Sequence, residues 1–339
     1  MRNTTDYFNP WALHVTDSPE AGIWLDYPNI VMRLSIVLLA ILLILPALQC
    51  PGEALTYGTL AKEGIVSGFG IQRGDPLSPR GRIPAINAPS YVAPAVGLYP
   101  RELLCIGTQV NDGWVFSPVE SLNSHEVVNH QGKAALCWCP LAGLCISVEG
   151  DMTVSGLLRY DTFVLFDNET GDLIIPFLQR KRGNTDSVRL REIQLVNYRG
   201  VLEKFPTAKI LDPNVHKRSQ PYGSYPSDGR VGLGHARPGL TNAFSKADYG
   251  YHPKDIVLVA GRNGIIEKAY PLVELKRTVP RLGGSFKDRI GDEEVKVHYS
   301  HAHGWANVVD SKDRSLNVAY AYFFAFVQNL PDVPIFKAD

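Results

Sequence analysis

Short apolar runs separated by turn residues dominate the chain from residue 103 onward. Runs 103–107 and 113–117 flank Asn111-Asp112-Gly113, which is typical of a tight β-hairpin. Further runs, each bounded by Gly, Pro, Asn or Asp, cover residues 134–139, 144–148, 152–155, 163–166 and 173–177. Helical periodicity is scarce and is best at residues 197–205. The pattern predicts a mainly β fold of the α+β type with few helices.

A weak internal repeat lies on top of this pattern. In each of two stretches, 103–122 and 256–275, a glycine precedes a proline by ten or eleven positions and a leucine follows that proline by four. Phe205-Pro206, followed by Ile-Leu, is likewise echoed by Leu330-Pro331, followed by Ile-Phe. Because both pairs occur in the same order, we predict an internally duplicated β-rich unit, with two pseudo-symmetric copies at 103–211 and 256–336.

The segments around the two copies have a different composition. Residues 55–102 are rich in Gly and Pro and predict an extended, loop-rich lead-in. Residues 212–255 are rich in Gly, Pro, Ser and Tyr and predict a connection between the copies. A connection of this length is unusual, so we expect it to make contacts of its own.

The beginning of the sequence carries targeting information. Met32-Arg33 precedes an apolar run, 34–48, that is too short for a comfortable membrane span and suits a secretory signal peptide. We therefore predict that 1–31 is an upstream extension and that 32–54 is a signal peptide or a retained membrane anchor.

Cys50 offers another route, because lipidation there would tether the protein to a membrane. The bulky Gln49 before it fits such a site poorly. Every alternative places the folded part outside the cytoplasm, in the periplasm or cell envelope. Membrane contact is expected only through this N-terminal segment.

Composition narrows the class of protein. Among 339 residues, 45% are hydrophobic and 20% are charged, which indicates a folded globular protein. The 34 basic and 34 acidic residues give no net charge. A nucleic-acid-binding protein normally carries a basic surface, so we expect no nucleic acid among the partners.

Chemistry-bearing side chains are densest between residues 124 and 145. This segment holds His125, Glu126, Cys137, Cys139 and Cys145 among apolar residues. His125 and Glu126 could act as an acid/base pair. Cys137 and Cys139 lie two apart and would share one face of a strand, whereas Cys145 could lie across a tight connection from Cys139.

Three interpretations of these cysteines stay open. They could be buried structural residues or form a Cys139–Cys145 disulfide, which an extracytoplasmic location permits. With His125, the set Cys137, Cys139 and Cys145 could bind zinc or copper, although the spacing fits no standard zinc module. Cys139 could also be a nucleophile or redox group.

Two further polar clusters are weaker candidates. Ser155, Arg159 and Asp161 could bind a cofactor, because Arg159 and Asp161 would share a strand face and could pair or position an anion. His298, His301 and His303 could bind a metal, although exposed strand histidines are the more common case.

Linked motifs at these positions resemble the bacterial and archaeal domain of unknown function number 3179. They are H-E-V-V-N, C-P-L, V-S-G-L-L-R-Y-D, F-D-N-E-T-G, I-P-A-I-N-A-P-S-Y-V and P-D-V-P-I-F, spread over roughly residues 80–336. The resemblance implies an exported, often anchored protein without an established activity. The residues that match are His125, Glu126, Asn129, Cys139, Ser155, Gly156, Arg159 and Asp161.

Two positions depart from the family pattern. His130 stands where the family usually has Asp, and Ala142 stands where it usually has the second cysteine of C-P-L-C. We therefore expect an exported envelope protein that binds a metal or a partner, such as another envelope protein, without catalysis. One alternative is a thiol- or metal-dependent oxidoreductase or hydrolase that uses Cys139 and His125. Another is a structural subunit of an extracytoplasmic assembly.

Overall fold

The computed structural model describes residues 55–70, 74–111, 113–182, 187–216, 225 and 250–338. These residues confirm the mainly β fold. The strands are β1 (Ile65–Ser67), β2 (Tyr91–Val92), β3 (Leu104–Val110), β4 (Gly113–Pro118), β5 (Val127–Asn129), β6 (Ala135–Cys139), β7 (Leu144–Val148), β8 (Met152–Arg159), β9 (Thr162–Asp167), β10 (Leu173–Ile175), β11 (Arg180–Lys181), β12 (Ile193–Asn197), β13 (Lys209–Leu211), β14 (Ile256–Ala260), β15 (Lys268–Pro271), β16 (Gly284–Ile290), β17 (Glu293–Ser300), β18 (Trp305–Val309) and β19 (Asn317–Tyr322).

The helices are short. They are α1 (Tyr57–Lys62), α2 (Val119–His125), α3 (Tyr198–Lys204), α4 (Leu272–Thr278) and α5 (Phe323–Asn329). The lead-in is therefore largely irregular but contains α1, β1 and β2. Within the described ranges, no helix is both long and apolar enough to cross a membrane.

The strands of the described residues form four sheets. One has the order β1-β8-β9-β10-β11, the second β12-β3-β4-β13-β2, the third β15-β14-β19-β7-β6-β5, and the fourth β16-β17-β18. In the third sheet, β19 pairs with β7, so this sheet joins strands that are far apart in sequence. The Asn197 N–H donates to the His303 carbonyl at 2.9 Å, which ties the β17–β18 hairpin to the end of β12.

The strand registers of the two proposed copies correspond. Cys105 pairs with Pro118 and Val196, as Val257 pairs with Pro271 and Ala321. Each copy also has a parallel pairing at its end, Ile210 with Phe116 and Ile335 with Ala269. A duplication would leave such parallels, and the duplication itself stays a prediction.

The third sheet is buried on both faces. Cys137, Cys139 and Ile146 lie in one apolar cluster, and Trp138 and Cys145 lie in the cluster on the opposite face. Every residue of β6 and β7 is accordingly buried. Burial of both faces explains why these strands are continuous apolar runs instead of alternating ones.

Candidate functional site

Helix α2 ends at a glutamate with an unusual backbone conformation. Glu126 has φ 57° and ψ −22°, and its N–H donates to the Leu122 carbonyl. Glycine is the usual residue at such a left-handed helix end, because a side chain there is disfavoured. Glu126 is nonetheless only 5% exposed. The end of α2 therefore directs a carboxyl group into the interior.

Cys139, at the end of β6, lies near this carboxyl group. Its Sγ is 3.7 Å from the Asp161 carbonyl, and the backbone N–H groups of Leu141, Ala142 and Phe163 interact with the sulfur. Burial and the negative charge of Glu126 raise the pKa of the thiol to about 12, against the opposing effect of those N–H groups. Cys139 is therefore a neutral thiol at physiological pH.

Glu126 and Cys139 line one pocket of about 90 Å³, the Glu126–Cys139 pocket. Its other lining residues are apolar or glycine: Gly68, Phe69, Ile83, Leu141, Val154, Gly156, Leu157, Leu158 and Phe163. Phe69 is 41% exposed, so the pocket meets solvent beside it. A small apolar space with one carboxyl group suits a ligand that has an apolar body and a hydrogen-bond donor.

The other candidates of this segment do not join the pocket. The Nδ1 of His125 lies 2.9 Å from the Pro84 carbonyl. The Cys137 thiol donates a hydrogen bond to the Ala135 carbonyl, and the Cys145 side chain lies on the opposite face of the sheet. Within the described ranges, no three His, Cys, Asp or Glu side chains form a group that could hold a metal. The predicted ligand set is thus not brought together.

The expected position of Cys145 is wrong, and no Cys139–Cys145 disulfide forms. Leu144 lies opposite Cys139, and Cys145 lies opposite Trp138. Because neighbouring residues of a strand point to opposite faces, Cys139 and Cys145 are separated by the sheet. Cys105, Cys137, Cys139 and Cys145 are all buried and free. Burial raises the pKa of each of these thiols.

Ser155, Arg159 and Asp161 serve separate purposes. Ser155 lies at an irregularity in the β8–β9 pairing and donates to the Val164 carbonyl. Arg159 donates to Asn329 Oδ1 at 2.8 Å, and Asp161 lies buried in the turn between the strands. The expected shared strand face is wrong, because Asp161 follows the end of β8 and has φ 60°.

The three histidines of the second half also diverge. His301 Nε2 lies 3.1 Å from the Val279 carbonyl, whereas His303 Nε2 lies 2.9 Å from Glu203 Oε2. His298 faces the Trp305 ring. They form no metal group within the part of the chain that the structure describes.

Asn129 of the H-E-V-V-N motif joins two sheets. Its Oδ1 accepts from the Met152 N–H at 2.8 Å, and its Nδ2 donates to the Met152 carbonyl at 2.9 Å. Nδ2 also donates to Asn87 Oδ1 at 2.8 Å. Asn129 is 2% exposed. The Asn129 side chain therefore makes the two hydrogen bonds to the Met152 backbone that a neighbouring strand would otherwise make, and so joins β5 to β8.

His130, which departs from the family pattern, is buried and pairs with the half-buried Tyr91. Its Nε2 lies 2.6 Å from the Tyr91 hydroxyl, and its Nδ1 lies 3.1 Å from the Ala134 carbonyl. The neutral ring with a proton on Nδ1 satisfies both contacts, because Nε2 then accepts from the tyrosine. Burial lowers the pKa of His130. Burial also lowers the pKa of His216, whose Nε2 accepts from the Ser90 N–H.

These two histidines predict a loss of stability in mild acid. Their folded-state pKa values lie below the unfolded value of about 6.5, so the unfolded chain binds more protons. The two histidines therefore make their full contribution to the free energy of unfolding above about pH 6.5, and this contribution is lost as the pH falls below it. We expect the urea midpoint to fall between about pH 7 and 5. The double variant His130→Gln, His216→Gln should show a flatter profile in this window, and an unchanged slope would contradict the assignment.

Most residues of the pocket lining could not be predicted from the sequence. Phe69 comes from the lead-in and Phe163 from β9, and only folding brings them beside Glu126. Gly156 carried the clearest signal, because a glycine within a strand pattern indicates a bulge or a close backbone approach. It has φ 84°, and a Cβ there would contact Pro79.

Comparisons with known proteins give a family without a known activity. No curated protein and no solved structure matches the chain. The family model described as "Protein of unknown function (DUF3179)" matches residues 80–330, which confirms the resemblance of the motifs. Because this match covers more than half of the sequence, the chain belongs to that family.

Proposed function

We propose that this chain is a non-enzymatic binding protein, and that its binding site is the Glu126–Cys139 pocket. Its ligand is a short apolar group that carries a hydrogen-bond donor, either a small molecule or a side chain of a partner protein. The observation that carries the proposal is the buried Glu126 carboxyl group in an otherwise apolar pocket.

The backbone at Glu126 supports this interpretation. A left-handed conformation costs a residue with a side chain roughly 1–2 kcal/mol, and glycine at this position would remove the cost. Strained residues cluster at binding and active sites, where the strained geometry has a use. Here the strain places a carboxyl group in the pocket wall.

The state of Cys139 favours binding over catalysis. A nucleophilic cysteine needs a thiolate, and burial holds the pKa of this thiol near 12. His125, the expected base, bonds instead to the Pro84 carbonyl. The thiol therefore contributes a small, weakly polar surface to the pocket.

We also propose that the protein acts outside the cytoplasm. This part rests on the apolar run 34–48 after Met32-Arg33, which lies outside the described residues. Determining the N-terminus of the mature protein tests it. Processing near residue 54 is the expected result, and a mature chain that retains residues 1–31 would contradict it.

The pocket predicts a charge preference that two small probes can test. Isobutylamine and isobutyrate share an apolar body, but only the amine offers donors to Glu126. We expect isobutylamine to bind the full-length protein more tightly than isobutyrate does. Glu126→Gln should weaken amine binding at least about tenfold, since hydrogen bonds to charged groups contribute about 1.5–3 kcal/mol. Nuclear magnetic resonance titration gives the two affinities.

Glu120→Gln is the matched control, because Glu120 lies on the same helix and outside the pocket lining. It should leave amine binding unchanged. Failure of both probes to bind, or equal binding by wild type and Glu126→Gln, would overturn the proposal.

A further inference from the structure

A second concave site lies between β4 and β18. It is a groove of about 540 Å³, the Trp114–Trp305 groove, which is within the usual range of ligand pockets. It is lined by Gln109, Trp114, Glu192, Gln194, Phe205, Trp305, Asn307, Asp313, Arg314 and Ser315. None of these residues belongs to the Glu126–Cys139 pocket.

The groove combines side chains from neighbouring strands on one sheet face. Gln109 of β3 pairs with Trp114 of β4, and Trp305 of β18 reaches Gln194 of β12. Thr108 points to the opposite face, where its hydroxyl bonds Ser147. Helix α3 covers part of the sheet face that carries Gln109 and Trp114, and the groove lies beside the helix on this face.

Aromatic rings form the apolar part of this groove. Trp114 and Phe205 meet edge to face at 5.4 Å between ring centroids. The Trp305 indole N–H donates to Gln194 Oε1 at 2.8 Å, which fixes the ring. The Lys204 Nζ lies 4.4 Å from the centroid of the Trp305 ring, over one face of that ring. Fixed tryptophans at a solvent-facing groove give a ligand large contact area at little entropic cost.

Polar side chains form the other part of the groove, and hydrogen bonds between them fix their positions. Gln194 Nε2 donates to Glu192 Oε1 at 3.2 Å, and the Ser315 hydroxyl donates to Asn307 Oδ1 at 2.8 Å. The network leaves groups for a ligand. Within the described residues, neither the Gln109 amide nor the Asp313 carboxylate has a side-chain hydrogen-bond partner.

The chemistry of the lining selects a class of ligand. Amides and carboxylates can each bind two neighbouring hydroxyl groups, and aromatic rings contact the apolar C–H face of a sugar ring. The charged lining residues are Glu192, Asp313 and Arg314, and Arg314 is already paired with Asp310 at 2.7 Å, so a strong anion is not favoured. We propose that the Trp114–Trp305 groove binds an uncharged oligosaccharide.

The test uses the full-length protein with cellotriose, maltotriose and chitotriose as probes. A sulfated heparin disaccharide serves as the charged comparison. We expect at least one neutral trisaccharide to bind at millimolar concentration or below, with a change in tryptophan fluorescence and saturation transfer to the sugar protons. The sulfated sugar should bind more weakly.

Variants connect the binding to the groove. Gln109→Ala removes an exposed side chain and should weaken binding about fivefold, as expected for one lost hydrogen bond. Trp305→Phe keeps a ring but loses the bond to Gln194, and it should also weaken binding. Glu169→Ala, at an exposed turn outside the groove, should bind as wild type.

Three outcomes would overturn the proposal. They are the absence of binding by all three neutral sugars, unchanged binding by both groove variants, and tighter binding of the sulfated disaccharide. Circular dichroism of each variant shows whether a loss of binding reflects a loss of folding. If Trp305→Phe fails to fold, Gln109→Ala alone decides.

Discussion

Asn129→Asp should destabilise the protein by about 3–5 kcal/mol at pH 7, because it breaks a buried hydrogen-bond network and leaves a charge there. The native amide donates to the Met152 carbonyl and to Asn87, and an ionised carboxylate would present acceptors to both. Only the bond from the Met152 N–H would survive. Urea unfolding followed by tryptophan fluorescence measures the difference.

The deficit of this variant should depend on pH. Burial raises the folded-state pKa of the new carboxyl group above its unfolded value of about 3.9, so folding favours the protonated form. The deficit relative to wild type is therefore largest above the folded pKa. It shrinks as the pH falls toward about 4, where the protonated carboxyl group can donate one hydrogen bond.

Asn111→Asp is the matched control. Asn111 is exposed in the β3–β4 turn and accepts from Lys133 Nζ at 2.7 Å. Its φ of 53° is one that aspartate tolerates. We expect its stability to stay within about 0.5 kcal/mol of wild type. If the two variants were equally stable at pH 7, Asn129 would not hold β5 to β8.

Gly261→Ala should destabilise the protein by roughly 2–4 kcal/mol through a backbone clash. Gly261 has φ −176°, so alanine can adopt its conformation without strain. A Cβ at this position would, however, overlap the carbonyl group of Ile265. No flexible side chain can yield there, and the Gly261 N–H is held by the Leu316 carbonyl at 2.8 Å. Thermal and urea unfolding give the measurement.

Gly58→Ala controls for the substitution itself. Gly58 is exposed in α1, and the nearest atom to a Cβ there is Thr56 Oγ1 at 3.7 Å. Alanine favours helices over glycine by about 1 kcal/mol in their interior, so we expect unchanged or slightly raised stability. A Gly261→Ala variant as stable as Gly58→Ala would contradict the close approach.

Much of the fold was predictable because its signals are local. Turn residues around Asn111 and apolar runs such as β6 indicated strands, and residues 197–205 indicated the helix α3. Side-chain pairing across strands depends on register, which is set by distant partners. For this reason the prediction placed Cys145 opposite Cys139, where the structure has Leu144.

The candidate site was predictable only in part. Motif position pointed to Glu126 and Cys139, which do meet at one pocket. His125 was grouped with them because it is adjacent in sequence, but the end of a helix turns adjacent side chains in different directions. The groove at Trp114 and Trp305 gave no signal, since its residues come from separate strands.

The pairing of β7 with β19 constrains the order of events during synthesis. The meander 127–148 leaves the ribosome long before residues 317–322, so one edge of β7 has no native partner in the nascent chain. An apolar strand with an open edge invites pairing with other chains. We therefore expect that a chaperone covers this edge of β7, or that the meander stays unfolded, until residue 322 has left the ribosome.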